Sequence, residues 1–460
     1  MTPRLAAFAA TLRYEDLPAP VVSHVKHILL DALGCALAAT TLGAGCREVV
    51  AVMRNLGGKP ESTVFGSGAK IAAPNAAFAN GALVHALNYD PIGPEAGHVG
   101  VVALTAPLAM AEAVGRVSGR QLIAAAAAAA EITARVTAAV MRTGKHASDK
   151  FLNGQMLGYF GAAAGAGRVL GLTAEQMHSA FGLALMQASG SMQIVLDGDP
   201  PAKAVYGAFP NYGGVLAALL ARAGLGAAVA ALEGKAGLYA MAYGGSYDAG
   251  ALTDRLGATF LLLGAQFKPW PTSLIVHPFI EAGIELGNRG IRAAEIKSVE
   301  IVGHGHVRPW CEPLAERRRP SNAATAANSI PFGVAKALAQ GDVTLADFTE
   351  AGLADASARS LAEKTTYRLD DAITGALVTV TRADGHTIQA RVELPLGHPS
   401  RPVPPDRLIA KFRDCCRYTH PPLGAAAVQE LVDLLLHLET IDDIGRLMQI
   451  CRGAAANRVS

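Results

Sequence analysis

The chain has 460 residues, 51% of them hydrophobic, 17% charged and only 5% aromatic, which describes closely packed helices built from Ala, Leu, Val and Ile. At roughly 150 residues per domain the length holds two or more domains. The formal charge of +2 gives no electrostatic case for nucleic acid or for an anionic membrane. At the start, Arg4 precedes a short apolar run broken by Arg13, Glu15 and Asp16, which is no secretory signal. The six cysteines, Cys35, Cys46, Cys311, Cys415, Cys416 and Cys451, contain no CxxC pair and are too sparse for a disulfide framework. They read as reduced thiols, and the chain as cytoplasmic.

The helical period dominates to about residue 266. In "VVSHVKHILLDALGCALAA", Val22, Val25, Leu29, Leu33 and Leu37 form one stripe that ends near Gly43. Ser118 with Gln121, and Thr173 with Gln176, have the spacing of capping boxes. The segment "LIAAAAAAAEITARVTAAVM" carries Glu131 and Arg135, so it reads as a buried core helix and not as a membrane span. Small residues in "FGAAAGAGRVLGL" and "GGVLAALLARAGLGAAVAAL" allow helices to approach closely.

Beyond residue 290 the pattern changes. "IKSVEIVGH" alternates, and "ALVTVTRADGHTIQARVEL" reads as two strands joined at Asp384-Gly385. Between them, "NSIPFGVAKALAQG" and "TLADFTEAGL" read as helices. "PLGHPSRPVPPDR" (395–407) is a proline-rich linker, after which helix returns. The expected fold is mainly α. Both chain ends (1–266 and 398–460) form a large all-helical domain, with a smaller α+β domain (267–397) inserted.

The common signatures GxxxxGK[ST], HExxH and GxSxG are missing from the sequence. "GHGHV" offers His304 and His306, which a strand could point to one side, with no carboxylate cluster to complete a metal site. "ERRRP" (316–320) reads as a solvated loop. Three segments concentrate chemistry: "HALNYDPIGPEAGH" from His85 to His98, "LDGDPPAKAVYGAFPNYGG" around Lys203, and "FKPWPTSLIVHPFIEAGIEL", which sets Lys268 and His277 nine apart. The last lies where the helical region gives way to the α+β region, and clefts between domains are favoured ligand sites.

In the order of "HILLDALGCALAA", "FANGALVHALNYD…GHVG", "GYFGAAAGAGRVLGL", "AKAVYGAFPNYGG", "LEGKAGLYA", "FKPWPTSLIVH", "NSIPFGVAKALAQGDV" and "PLGHPSRP…LIAKFRDC", the chain resembles the MmgE/PrpD family over nearly its whole length. That family includes 2-methylcitrate dehydratase, cis-aconitate decarboxylase and iminodisuccinate epimerase. The resemblance implies a helical domain with an inserted α+β lid, usually in a homodimer. It also implies a small polycarboxylate as substrate. His98 matches the histidine closing the family's Asp-rich loop, Lys203 the lysine before the small-residue helix, and Lys268 and His277 the Lys…Pro…His element.

The chain also departs from the family pattern. Where the loop commonly reads His-x-x-Asp-x-Asp-Asp-Thr, this sequence has Asn88 at the first Asp, Pro91 at the second of the Asp-Asp pair, and Ile92 at the Thr. "LNG" (152–154) replaces a His-Pro-Thr element, and Phe332 stands where the decarboxylase has a tyrosine.

The chemistry implied is proton abstraction next to a carboxylate and elimination of water, with no metal and no organic cofactor. His98 and His277 serve as base and acid in either order, and Lys203 and Lys268 clamp carboxylates. Asn88, Asp90 and Phe332 are candidate substrate-binding residues, Asp90 supplying the carboxylate lost at 88. His85 reads as a hydrogen-bonded histidine at a helix end and stands outside the catalytic set, and Trp270 as pocket wall or core. Isomerisation, epimerisation or decarboxylation on the same fold, and a non-catalytic polycarboxylate-binding role, stay open beside dehydration.

Overall fold

The computed structural model describes residues 1–93, 95–144, 150–197 and 201–453. Helix accounts for 59% and strand for 9%, which makes the protein mainly α. The chain divides into two compact units: Met1–Phe267 with Pro405–Ser460, and Lys268–Pro404.

The first unit is a stack of helices centred on Gly119–Met141 and Asn153–Leu170, with Val99–Val114 and Ala208–Arg222 packed against them. Small side chains set the spacing. A Cβ at Gly161 would fall 1.8 Å from Thr133 Oγ1, so only glycine lets these two backbones come so close. The helix Gly119–Met141 starts on the Ser118–Gln121 capping box and Ala174–Leu185 on that of Thr173 and Gln176. Ala19–Leu42 ends at Gly43 as its periodicity implies.

Two helices, Ala19–Leu42 and Gly119–Met141, are long and apolar enough to cross a membrane, but 78% and 100% of their apolar windows are buried inside the protein. In the second of these, Arg135 donates to Glu131 at 2.7 Å and to the carbonyls of Ala251, Leu252, Asp254 and Thr259. A buried guanidinium persists only with such full pairing. All six cysteines are buried and unbridged.

A two-residue hairpin, β1 (Ser62–Thr63) with β2 (Lys70–Ile71), also lies in the first unit. The second unit holds a four-stranded sheet of β3 (Ile296–Gly303), β4 (Thr365–Leu369), β5 (Ala376–Arg382) and β6 (Thr387–Val392), in the order β4-β3-β5-β6. β4 runs parallel to β3, while β5 is antiparallel to both β3 and β6. Val299, Ile301, Val378 and Val380 on one face pack in a core with Phe279 and Ile280 of helix His277–Asn288 and Val334 of helix Ile330–Gln340.

Four local expectations change. "TLADFTEAGL" is not one helix: Thr349 caps a new short helix after a 3-10 turn, splitting it in two. Arg317 and Arg318 belong to the short helix Leu314–Arg318, and Arg318 donates to the Thr365 carbonyl, so "ERRRP" is not a free loop. His304 and His306 follow the strand in a 3-10 turn and contact each other through Nδ1 at 2.8 Å. The linker is shorter than its prolines imply, since helix resumes at Pro405.

Candidate active site

Helix Ala73–His85 ends on His85, and the Asn88 N–H donates to the His85 carbonyl at 2.9 Å, closing a turn. Asn88 sits at φ 50, a left-handed conformation that Asn tolerates better than most residues. The chain then passes through Asp90. It is pinned where Ile92 and Gln266 exchange backbone hydrogen bonds at 3.1 and 2.8 Å, and again between Gly93 and Gly97. His98 follows as the N-cap residue of Val99–Val114. Pro94 of this segment lies outside the described residues.

The turn brings three side chains together. Asp90 is fully buried, with Oδ2 2.9 Å from His98 Nδ1 and Oδ1 3.3 Å from His85 Nδ1. The two imidazoles meet edge to face with centroids 4.7 Å apart. Burial opposes charge on Asp90, but His98 and His85 outweigh it and hold the carboxyl well below the usual carboxylate range. With Asp90 ionised, each Nδ1 carries the hydrogen, and Nε2 is the nitrogen left to accept a proton. The ligating atoms of the three side chains lie within 4.8 Å of one another, a spacing that could hold a metal ion. The contacts of the two Nδ1 atoms with the carboxylate already account for the arrangement, the 2.9 Å one to His98 as a hydrogen bond.

Tyr206 completes the cluster. Its ring centroid is 4.2 Å from that of His85 and 6.0 Å from that of His98. Burial, then the charge of Asp90, pushes its phenol upward, so the hydroxyl keeps its hydrogen at neutral pH. Gly154 makes this approach possible: a Cβ there would lie 2.8 Å from His98 Cδ2 and 2.9 Å from the Tyr206 hydroxyl. Lys203 sits in the short helix Pro201–Ala204, half-buried, and its carbonyl accepts from the Tyr206 N–H at 3.5 Å, one turn ahead. Gly198 to Pro200 of that segment lie outside the described residues.

Lys268, His277 and Phe332 belong to the second unit. Lys268 and His277 are buried, and His277 is the first residue of helix His277–Asn288, with Pro278 behind it in the position where proline favours a helix start. The ring of His277 meets Trp270 at 86° and 5.3 Å, and Trp270 Nε1 donates to Asp342 at 2.9 Å. Phe332 is buried edge-on against Phe348, with Lys336 5.8 Å above its ring. Lys336 pairs with Asp347 at 3.1 Å.

Sequence reasoning names His85 only as a hydrogen-bonded histidine at a helix end, and does not single out Tyr206. The available signals were the shared Asp between two histidines, and the spacing of Lys203 and Tyr206 by one helical turn.

These features define a mainly helical protein with a buried histidine–carboxylate–histidine centre. The chain belongs to the MmgE/PrpD family: the MmgE/PrpD N-terminal domain matches residues 3–249 and the MmgE/PrpD C-terminal domain residues 270–437. It is similar to the cis-aconitate decarboxylase of Aspergillus terreus, 27% identical over 487 residues that cover 98% of this chain and 95% of that protein. The cis-aconitate decarboxylases of Homo sapiens and Mus musculus are 24% and 23% identical, over 98% of this chain and 94% and 93% of theirs.

Proposed function

We propose that the protein is a cofactor-independent lyase of a small polycarboxylate, removing a proton from the carbon beside a carboxylate and expelling water from a hydroxylated substrate. The observation that carries this reading is the buried Asp90, whose 2.9 Å contact with His98 Nδ1 leaves the His98 Nε2 for proton transfer, while His85 flanks the same carboxylate at 3.3 Å. A histidine, with an ordinary pKa of about 6.5, suits such transfer near neutrality.

In the dehydration, a histidine Nε2 takes the proton, the C–H pair becomes the new C=C bond, and the hydroxyl leaves as water with a proton from the second histidine. His98 and His277 take these two roles, in either order. The carbanionic charge is the barrier. Lys203 and Lys268 offset it as cationic donors to the substrate carboxylates, each such preorganised donor contributing about 2.7–4 kcal/mol. Asn88 borders the centre, Asp90 is its buried carboxylate, and Phe332 is assigned to substrate contact. The reading includes a cytoplasmic homodimer without nucleic-acid or membrane partners.

Decarboxylation is the second reading, favoured by the names of the relatives. There a C–CO2 bond breaks and the same histidines protonate the carbon. Asn88, in place of the family's first loop Asp, and Phe332, in place of the decarboxylase tyrosine, weigh against it. The test is incubation with 2-methylcitrate, related hydroxy acids and cis-aconitate, following both the absorbance of an unsaturated product and CO2 release. Unsaturated product from a hydroxy acid supports dehydration. CO2 from cis-aconitate alone selects the second reading, and silence in both rejects the lyase.

A further inference from the structure

Lys411 lies on helix Pro405–Cys416, far along the chain from the centre at Asp90, and it is buried. Its Nζ stands 2.7 Å from Asp31 Oδ1, on helix Ala19–Leu42, donates to the Tyr89 carbonyl at 2.8 Å, and lies 3.6 Å above the Tyr89 ring. Burial works against the charged amine, but Asp31 more than compensates and leaves the lysine firmly protonated.

A buried ion pair of this kind is a poor device for stability alone, because apolar side chains of similar volume commonly do as well or better. What this pair adds is direction. An ammonium has three donors, and the Asp31 contact uses one of them. Another reaches back 322 residues to the carbonyl of the peptide that joins Tyr89 to Asp90. That peptide is planar, so fixing its oxygen fixes the plane from which Asp90 starts. The ring contact holds the same residue from its side chain. On the near side, the Asn88 N–H is tied to the His85 carbonyl. The two residues before the carboxylate are thus clamped from both directions.

We infer that Lys411, anchored by Asp31, is a positioning residue that sets the orientation of the Asp90 carboxylate between His85 and His98. The inference rests on reading Asp90 as the group that orients the working imidazole of His98, a role that tolerates displacement of only about 0.5 Å. Among the described residues, Asp90, Tyr206 and the other imidazole face each of these two rings.

The test uses the full chain without substrate, so it stands whether or not a polycarboxylate is turned over. Two double variants are compared, Asp31→Asn with Lys411→Met and Asp31→Asn with Lys411→Gln. Neither leaves a buried charge unpaired, and they differ in whether a donor to the Tyr89 carbonyl remains. The readout is the pair of imidazole Nδ1–H signals of His85 and His98 in proton and nitrogen NMR, with their exchange into solvent. In the methionine variant both signals are expected to move upfield and to exchange at least about tenfold faster, as local opening requires. In the glutamine variant they are expected to stay near wild type. Equal behaviour of the two variants, or native signals in the methionine variant, overturns the inference. Should the methionine variant fail to fold, Asp31→Asn alone weakens the anchor and is expected to move the same signals in the same direction; unchanged signals there overturn it as well.

Discussion

Replacing Asp90 with asparagine keeps the shape of the side chain and removes its charge and one of its two acceptors. The amide can accept from one Nδ1–H, but its NH2 then faces the other imidazole, which must change tautomer or lose its partner. The structure places both contacts inside the protein, at 2.9 and 3.3 Å, with the carboxylate fully buried. Each hydrogen bond to a charged group contributes about 1.5–3 kcal/mol. If one of them orients the imidazole that moves the proton, kcat falls by about 10-fold to about 100-fold, at roughly 1.4 kcal/mol per factor of ten. KM is expected to change less, because the substrate carboxylates are assigned to the lysines.

The stability effect has a definite sign. The folded carboxyl is held well below the ordinary value of about 3.9, so its contribution is present at neutral pH and is lost as pH falls below about 4 toward the folded value. The asparagine variant is expected to lack that acid limb. The assay is kcat and KM across pH on the substrate found active, with thermal melts over the same range. An asparagine variant with wild-type kcat and the same acid limb would refute the assignment of Asp90 as the orienting group.

Gly154→Ala places a methyl 2.8 Å from His98 Cδ2 and 2.9 Å from the Tyr206 hydroxyl, closer than real Cβ atoms sit. Steady-state kinetics should show a fall in kcat of about 10-fold to about 100-fold, since displacement of about 1 Å is enough to misalign a reacting group, while a native-like melt shows the fold intact. Arg135→Met leaves Glu131 charged and buried without its partner, and denaturant unfolding should report a loss of about 3–5 kcal/mol. His24 is pushed from its ordinary 6.5 to about 4, chiefly by burial and then by His27. The unfolded chain therefore takes up that proton first, and stability should fall by up to about 3 kcal/mol as pH drops from 6.5 to 4. In His24→Gln that slope should flatten, as followed by urea melts at each pH.

Local chemistry made part of the fold legible. The pairs Ser118–Gln121 and Thr173–Gln176 form the capping boxes their spacing implies, because a cap needs only its own four residues. The hairpin of β5 and β6 around Asp384-Gly385 is legible for the same reason. β4 is not, since "TTYRL" is short and becomes a strand only by pairing in parallel with β3, over 60 residues earlier. The split of "TLADFTEAGL" turned on Thr349, which reads as helical filler but caps a new turn.

At the site, Asp90 and His98 carry signals in one loop. His85 reads as a hydrogen-bonded histidine at a helix end, and Tyr206 does not stand out from the segment around Lys203. Their place in the cluster arises from the approach of distant segments, close to glycine at Gly154 for Tyr206 and His98 and at Gly207 for His85, and helical periodicity does not encode such an approach.

The most direct measurement of the central claim is hydrogen exchange from substrate into deuterated water, followed by proton NMR over a set of di- and tricarboxylates. Wild-type protein is expected to exchange the hydrogen beside a carboxylate of at least one of them, and His98→Gln to slow that exchange by about 100-fold or more. A wild-type protein that exchanges none of them, or a His98→Gln protein that exchanges as fast as wild type, would contradict the account.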